Sequence, residues 1–293
     1  MTRGNAFVVE PAGGAADYAQ AIALLDRVFV APRQRPPSVA VRFPWISARD
    51  ARGNAWTLNE LGVVTACLLV KCRRWASGGG GVEVAMIGGV CTDPAARGRG
   101  LASELMRHVQ DALDAAGIET QVLWTTMPRF YERLGWRRDE SGLLGTLGVY
   151  SGPRPKAQVS RGSPAASFER LARIRGECLG EGVGRHRDDW ASIPFPAQSV
   201  ECVRALADDG EAYGLVGRAG SSAYVYEVVG PTSVVGAVWA DIRDRYSTVL
   251  VNERRDGPMV RWLAANAAVD WRPGATAMWR GAARFYVPFF DGC

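Results

Sequence analysis

The chain has 293 residues, 47% of them hydrophobic and 22% charged, with a formal net charge of +5. That length suits two domains with cores of their own, and the positive charge, almost all arginine and spread over both halves, forms no stripe or tract that would mark a nucleic-acid or membrane-surface partner. Two distant histidines and six cysteines without a CxxC pair exclude a metal centre, and no apolar run reaches span or leader length, so a cytoplasmic protein with reduced cysteines is expected.

From the N-terminus, residues 16–30 repeat apolar side chains at helical spacing and predict an amphipathic helix. Four prolines between residues 31 and 45 then break the pattern into an irregular connection. AWTLNELGVVTACLLVKCRRWA, residues 55–76, reads as two strands joined at NELG. A glycine run at 78–81 turns the chain into a strand over 82–92, in which Gly88 and Gly89 signal a bulge or a close backbone approach. A helix is expected over 101–116, stopped by Gly117, followed by a strand over 120–126. Next come a short helix over 128–135, with Pro128 in its first turn and Gly135 at its stop, and a strand over 143–150.

This order predicts an α/β fold, a mixed sheet flanked by helices, complete by about residue 150. The polar, Pro- and Gly-rich stretch 151–164 reads as a linker. Beyond it the rhythm repeats: a helix over 167–179, strands over 212–218 and 223–230, a helix over 233–246, a strand over 248–253, a helix over 258–269 and a strand over 276–281. The expected division is therefore 1–150, 151–164 and 165–293, one topology written twice.

The junction between the 82–92 strand and the 101–116 helix carries Arg97-Gly98-Arg99-Gly100-Leu101-Ala102. A helix N-terminus offers unpaired amides and the positive end of the helix dipole, and glycine lets a phosphate come close to those amides. The spacing is neither Gly-Lys-Ser/Thr nor GxGxxG, so a P-loop and a dinucleotide fold are excluded. Arg97-x-x-Gly100-x-Ala102, preceded by Val90-x-Thr92-x-Pro94, resembles motif A of the GNAT acetyltransferase superfamily, and FYERLGW at 130–136 resembles its motif B. The resemblance covers roughly residues 5–150. It implies acetyl-CoA or another acyl-CoA as donor. The pyrophosphate would lie on the amides of Gly98, Arg99, Gly100, Leu101, Ala102 and Ser103 beside Arg97, and the pantetheine arm along Val90, Cys91 and Thr92. Thr125 and Thr126, ahead of Phe130, stand where many family members begin an Asn-x-x-Ala segment that touches pantetheine; the segment here is shorter.

N-acylation requires a neutral amine, a donor for the oxyanion, and a proton for the departing thiolate. A backbone N–H at the bulge near Val90 suits the oxyanion. By resemblance, Tyr131 is the proton donor. Two groups are candidates for the base. Glu83 lies near the place where some family members keep a glutamate; the carboxylate of Cys293 is the other, because tandem members of the enhanced-intracellular-survival type use a terminal carboxylate and the apolar tail RFYVPFFDGC must tuck against the protein. Cys91 is expected to face the core, Asp93 to cap the turn into the loop, and His108 to lie at the surface. RHRDDW (185–190) and RDRY (243–246) read as solvated charge clusters.

The second half has no Arg/Gln-x-x-Gly-x-Gly/Ala, and only PTS separates its corresponding strand and helix. The expectation is a degenerate GNAT-like domain without a donor site that walls the acceptor cleft. The expected activity is N-acetyl transfer to a primary amine, a small molecule because a second domain narrows the cleft. A non-catalytic acyl-CoA sensor or interaction protein and a protein or peptide N-acetyltransferase are the alternatives.

Overall fold

The computed structural model describes residues 7–34, 36–47, 54–77, 80–281, 285 and 287–292. In chain order the strands are β1 (Phe7–Pro11), β2 (Ala55–Glu60), β3 (Val63–Ser77), β4 (Gly80–Thr92), β5 (Thr120–Thr125), β6 (Arg137–Asp139), β7 (Gly142–Tyr150) and β8 (Gln158–Gly162). They continue with β9 (Glu181–Val183), β10 (Ser199–Ala207), β11 (Gly210–Ala219), β12 (Ser222–Val229), β13 (Thr248–Arg254), β14 (Ala267–Pro273) and β15 (Thr276–Arg280). The α-helices are α1 (Ala15–Leu25), α2 (Val39–Arg42), α3 (Leu101–Ala115), α4 (Pro128–Glu132), α5 (Phe168–Cys178), α6 (Thr232–Arg245) and α7 (Pro258–Asn266).

Two mixed sheets result, as the sequence predicts for an α/β chain. The first runs β1-β2-β3-β4-β5-β15-β6, with β9 added along β3, and the second runs β8-β10-β11-β12-β13-β7-β14. The two orders correspond position for position. Each contains one parallel pair, β4/β5 and β12/β13, spanned by α3 and α6 respectively. In each, the sixth place is taken by a strand from the other half: β15 lies between β5 and β6, and β7 between β13 and β14.

That exchange corrects the expected boundary at 150. Both segments are strands, but β7 closes the second sheet and β15 returns to the first. The expected linker also holds β8, a polar edge strand on β10. The end of the expected 258–269 helix is β14, and the 16–30 helix is α-helical to Leu25 and π-helical over Asp26–Val30.

β3 shows why the first sheet is buried on both faces. Ala66, Leu68, Val70 and Cys72 turn toward α3, which returns Leu101, Leu105, Met106, Val109 and Leu113. Cys67 and Leu69 turn the other way, onto Ala21, Leu24 and Leu25 of α1. The period of two along the strand meets the helical period on either side.

Part of each cluster expected in solvent is internal. Arg73 on β3 makes a bidentate pair with Asp189 at 2.7 and 2.8 Å, joining the first sheet to the second half. Arg185 is 2% exposed and grips two carboxylates, Asp291 at 2.6 and 2.9 Å and Glu227 at 2.8 Å through each nitrogen. Burial opposes ionisation at both carboxyls, but the Arg185 guanidinium outweighs it and holds both below the usual carboxylate range. The RDRY cluster reaches the surface, where Asp244 pairs with Arg154, and so do His186, Arg187 and Asp188 of the other cluster.

Arg185→Met is therefore expected to cost about 3–5 kcal/mol in chemical denaturation, because two buried carboxylates lose their counter-charge. The carboxyls titrate lower in the folded state than in the unfolded one. Their contribution is complete above about pH 5 and is lost as pH falls through the folded pKa values, an acid-side slope that the variant should flatten.

Candidate acyl-CoA site

The donor loop is built from the end of β4. Asp93 caps the turn over Pro94–Ala96, its Oδ1 accepting from the Ala95 amide at 2.9 Å, and its Oδ2 accepts from Arg27 at 2.6 Å. Arg97 is extended, Gly98 and Gly100 both have φ +80°, and α3 starts at Leu101. A Cβ on either glycine would meet nothing within 4 Å, so it is the left-handed backbone and not crowding that selects glycine. Among the described residues, the amides of Gly98, Arg99, Gly100, Leu101 and Ala102 have no protein acceptor. The amide of Ser103 does, bonding the Gly100 carbonyl at 3.0 Å, so it drops out of the expected cradle. Arg99 is held by Glu60 at 2.9 and 2.5 Å, whereas Arg97 is exposed with no ion-pair partner among the described residues.

Beside the loop the first sheet splits. The β4/β5 ladder pairs Val84 with Thr120, Ala85 with Gln121 and Met86 with Val122, and ends there. On the other side of β4, Leu69 faces Gly88 and Cys67 faces Cys91, so Gly89 and Val90 together oppose Leu68: a β-bulge where the sequence placed one. Gly89 has φ +59°, and a Cβ there would come within 2.9 Å of Leu25.

A cavity of about 490 Å³ fills the split. One side is formed by residues 87–90 of β4, Thr125 at the end of β5, Thr126 beyond it, and Tyr131 on α4. Its far side is formed by Leu25, Phe29, Val39 and Phe43, and the second half contributes Pro194, Phe195, Ala275 and Gly292. Tyr131 is half-buried, its ring edge-on to Phe130 at 4.8 Å and to Trp136 at 6.3 Å. Burial pushes its hydroxyl up to about 12, so it stays protonated across the physiological range.

With that geometry, the comparisons are decisive about the first half. Residues 12–138 match the family model of an acetyltransferase (GNAT) domain. These residues are a GNAT domain. No protein of curated function matches the chain. Among solved structures, a GCN5-related N-acetyltransferase from Anabaena variabilis aligns over 94% of this chain and 72% of its own, at 16% identity and a TM-score of 0.69. A probable N-acyltransferase from Enterococcus faecalis aligns over 92% and 71% at 16% identity and TM-score 0.70. Eis1 from Mycobacterium abscessus aligns over 92% and 72% at 16% identity and TM-score 0.62. At these identities the likeness is one of fold, and it extends over both halves.

The structure brings most of the expected site of the GNAT domain together; besides Ser103, three expectations depart from it. Cys91 points away from the cavity into the α1 core, its sulfur 3.4 Å from that of Cys67, and can offer a ligand only its backbone; Thr92 does not line the cavity. Phe130 lines a separate shallow groove beside Arg129 and Arg133. Glu83 lies opposite Arg74, four residues before the cavity wall begins at Ile87, or about 13 Å along the strand. Cys293 lies outside the described residues, as do residues 78–79 of the glycine turn; its neighbour Gly292 lines the cavity. Sequence reasoning missed Phe29, Phe43, Pro194 and Phe195. The π-helical turn over Asp26–Val30, which carries Phe29, has no sequence signature that a continuous helix lacks.

The second half repeats the split without the loop. β12 and β13 pair only from Ser222↔Thr248 to Val225↔Val251, and α6 follows β12 after Gly230 and Pro231. The corresponding space is about 160 Å³, and the rings of Trp239, Trp262 and Tyr150 stack beside it at 6.2 and 5.9 Å. Among the described residues no group of His, Cys, Asp and Glu is placed to hold a metal, and no helix is long and apolar enough to cross a membrane.

Proposed function

We propose that the GNAT domain transfers an acetyl group from acetyl-CoA to a primary amine of a small molecule by direct attack on the thioester. One conjunction carries this reading: five open amides at the head of α3 stand beside a bulged, unpaired strand edge that leads into a cavity. The open amides and Arg97 suit a diphosphate, supported by the positive end of α3. The free edge of β4 suits the amide-bearing pantetheine arm, which would extend it as a further strand and set the thioester near Val90 and Tyr131.

In that arrangement the amine nitrogen attacks the thioester carbon, and the bulge backbone near Val90 stabilises the developing oxyanion. Collapse breaks the C–S bond. The Tyr131 hydroxyl gives its proton to the sulfur and is re-protonated by the proton that leaves the nitrogen, so an amide and a free thiol form with no net proton change. The corresponding space of the second half is only about 160 Å³, is walled by its own aromatic rings and has no Arg-Gly loop beside it, which supports one donor site per chain.

Gly100→Ala tests the reading. Its direct effect on folding is confined to the left-handed backbone, about 1–2 kcal/mol, but relaxing that backbone would turn away the amides that would hold the phosphates. Calorimetry should find one acetyl-CoA site per wild-type chain and affinity at least about 10-fold weaker in the variant. Unchanged affinity, or two equivalent sites, would overturn it.

A further inference from the structure

We infer that the acceptor is a single primary amine carried on a neutral, aromatic or aliphatic body, and that the site discriminates against polycations. The inference rests on the acetyl-transfer reading above. It follows from the far wall of the cavity, where Phe29, Val39, Phe43 and Phe195 face the thioester end. Among the described residues lining the cavity, none carries a charge. Among the described residues three carboxylates adjoin lining residues in the chain, and each is already paired: Glu132, next to Tyr131, accepts from Arg138 at 2.5 and 3.2 Å at the surface, and the other two are spent inside the fold. Asp26, next to Leu25, accepts from Ser38 Oγ at 2.6 Å and the Val39 amide at 2.7 Å. Asp291, next to Gly292, is held by Arg185 at 2.6 and 2.9 Å.

The charges behind the wall have the wrong sign for a polycation. Trp45, Phe43 and Phe195 form a file of rings at centroid spacings of 6.0 and 6.3 Å. At one end the Arg42 guanidinium, fully buried, lies 4.1 Å over the Phe195 ring and donates to the carbonyls of Pro36, Pro37, Ile193 and Ala197. At the other, the ammonium of Lys71, 1% exposed, lies 5.4 Å over Trp45, where its field also helps keep Asp291 ionised. Of the two rings so engaged, Phe195 lines the cavity, and Arg42 already draws on the face that a bound ammonium would otherwise use.

A second or third ammonium on the acceptor would lose its water here without gaining a counter-charge. The reacting nitrogen bears no such penalty. It must be neutral to attack, and desolvation drives an ammonium toward the neutral form, which is the step a general base would otherwise perform. An apolar wall thus selects the body of the acceptor and prepares its nitrogen together.

The test is a thiol-release assay with acetyl-CoA, comparing phenethylamine and tryptamine with spermidine, beside calorimetric titration of acetyl-CoA alone. The expected result is kcat/KM at least about 100-fold higher for the aromatic monoamines. Phe29→Glu, which sets a carboxylate in a half-buried part of the wall, should narrow that ratio at least about 10-fold with acetyl-CoA affinity retained. Acetyl-CoA binding with spermidine preferred, or with neither class acetylated, overturns the inference and leaves the donor site standing. Absence of acetyl-CoA binding overturns the inference and the transfer reading together.

Discussion

Expressed alone, residues 1–150 are expected to yield no cooperatively folded domain, although they contain every recognised GNAT motif. β15 bonds β5 along Thr276↔Thr125 to Arg280↔Gln121 and β6 along Ala277↔Asp139 to Trp279↔Arg137. Without it, β6 has no neighbour in the first sheet and β5 becomes a bare hydrophobic edge. The two central side chains of β15 serve opposite faces. Met278, fully buried, packs with Leu123 and Trp136 in the α3 core, while Trp279, 1% exposed, packs with Val84, Met86 and Val122 on the other side. Removing both forfeits about 5–10 kcal/mol of burial, which is most or all of a typical domain's stability. The fragment would also carry β7 with no partner strands. Far-UV circular dichroism on heating should show a broad, non-cooperative change or aggregation for 1–150, against a sharp transition for the full chain. The full-length variant Trp279→Ala should fold with its midpoint lowered. A sharp transition in the fragment would show that the exchange of strands is not what completes the first sheet.

The same exchange marks the limit of what local pattern encodes. LLGTLGVY and TAMWRG are recognisable as strands because side-chain alternation belongs to the segment itself. Their partners depend on contacts more than a hundred residues away, which no window along the chain contains. β8 was read as linker for a related reason: an edge strand is kept polar and exposed, and QVSRG looks as a linker should. Charge misled in the opposite direction. Arg185, Glu227 and Asp291 lie in three distant stretches, and only the fold shows that the guanidinium offsets the desolvation of both carboxylates.

What the chain does disclose are features whose geometry is set by one or two residues. The positive φ of Gly98 and Gly100, the bulge at Gly89 and the start of α3 are all local requirements of the backbone, and each lies where the motif places it. Glu83 shows how little room there is for error. It shares strand parity with Ala85 and Ile87, so face alone does not exclude it, yet its distance along the strand sets it apart from the cavity. The walls of the acceptor side come from a π-helical turn, a four-residue helix and a loop of the other half, none of which has a motif.

Tyr131→Phe should reduce kcat by about 100-fold, or roughly 2.7 kcal/mol of barrier, with acetyl-CoA affinity within about 2-fold of wild type. Among the described residues the hydroxyl has no hydrogen-bond partner, and the ring contacts to Phe130 and Trp136 survive the substitution, so stability should not move. The cost falls on the departing thiolate alone. Because burial holds the hydroxyl at about 12, the proton it would donate is present throughout the pH range in which a CoA thiol itself ionises, near 8.5. The wild-type rate should therefore show no alkaline limb from this residue below about pH 10, and any rise on the acid side reports the amine becoming neutral. Thiol release measured from pH 6 to 10 in both proteins separates the roles. A constant deficit in the variant across that range, at unchanged melting temperature, is the signature of the lost donor. A deficit that tracks a lowered melting temperature would make the tyrosine a packing residue and leave the thiolate to depart unaided.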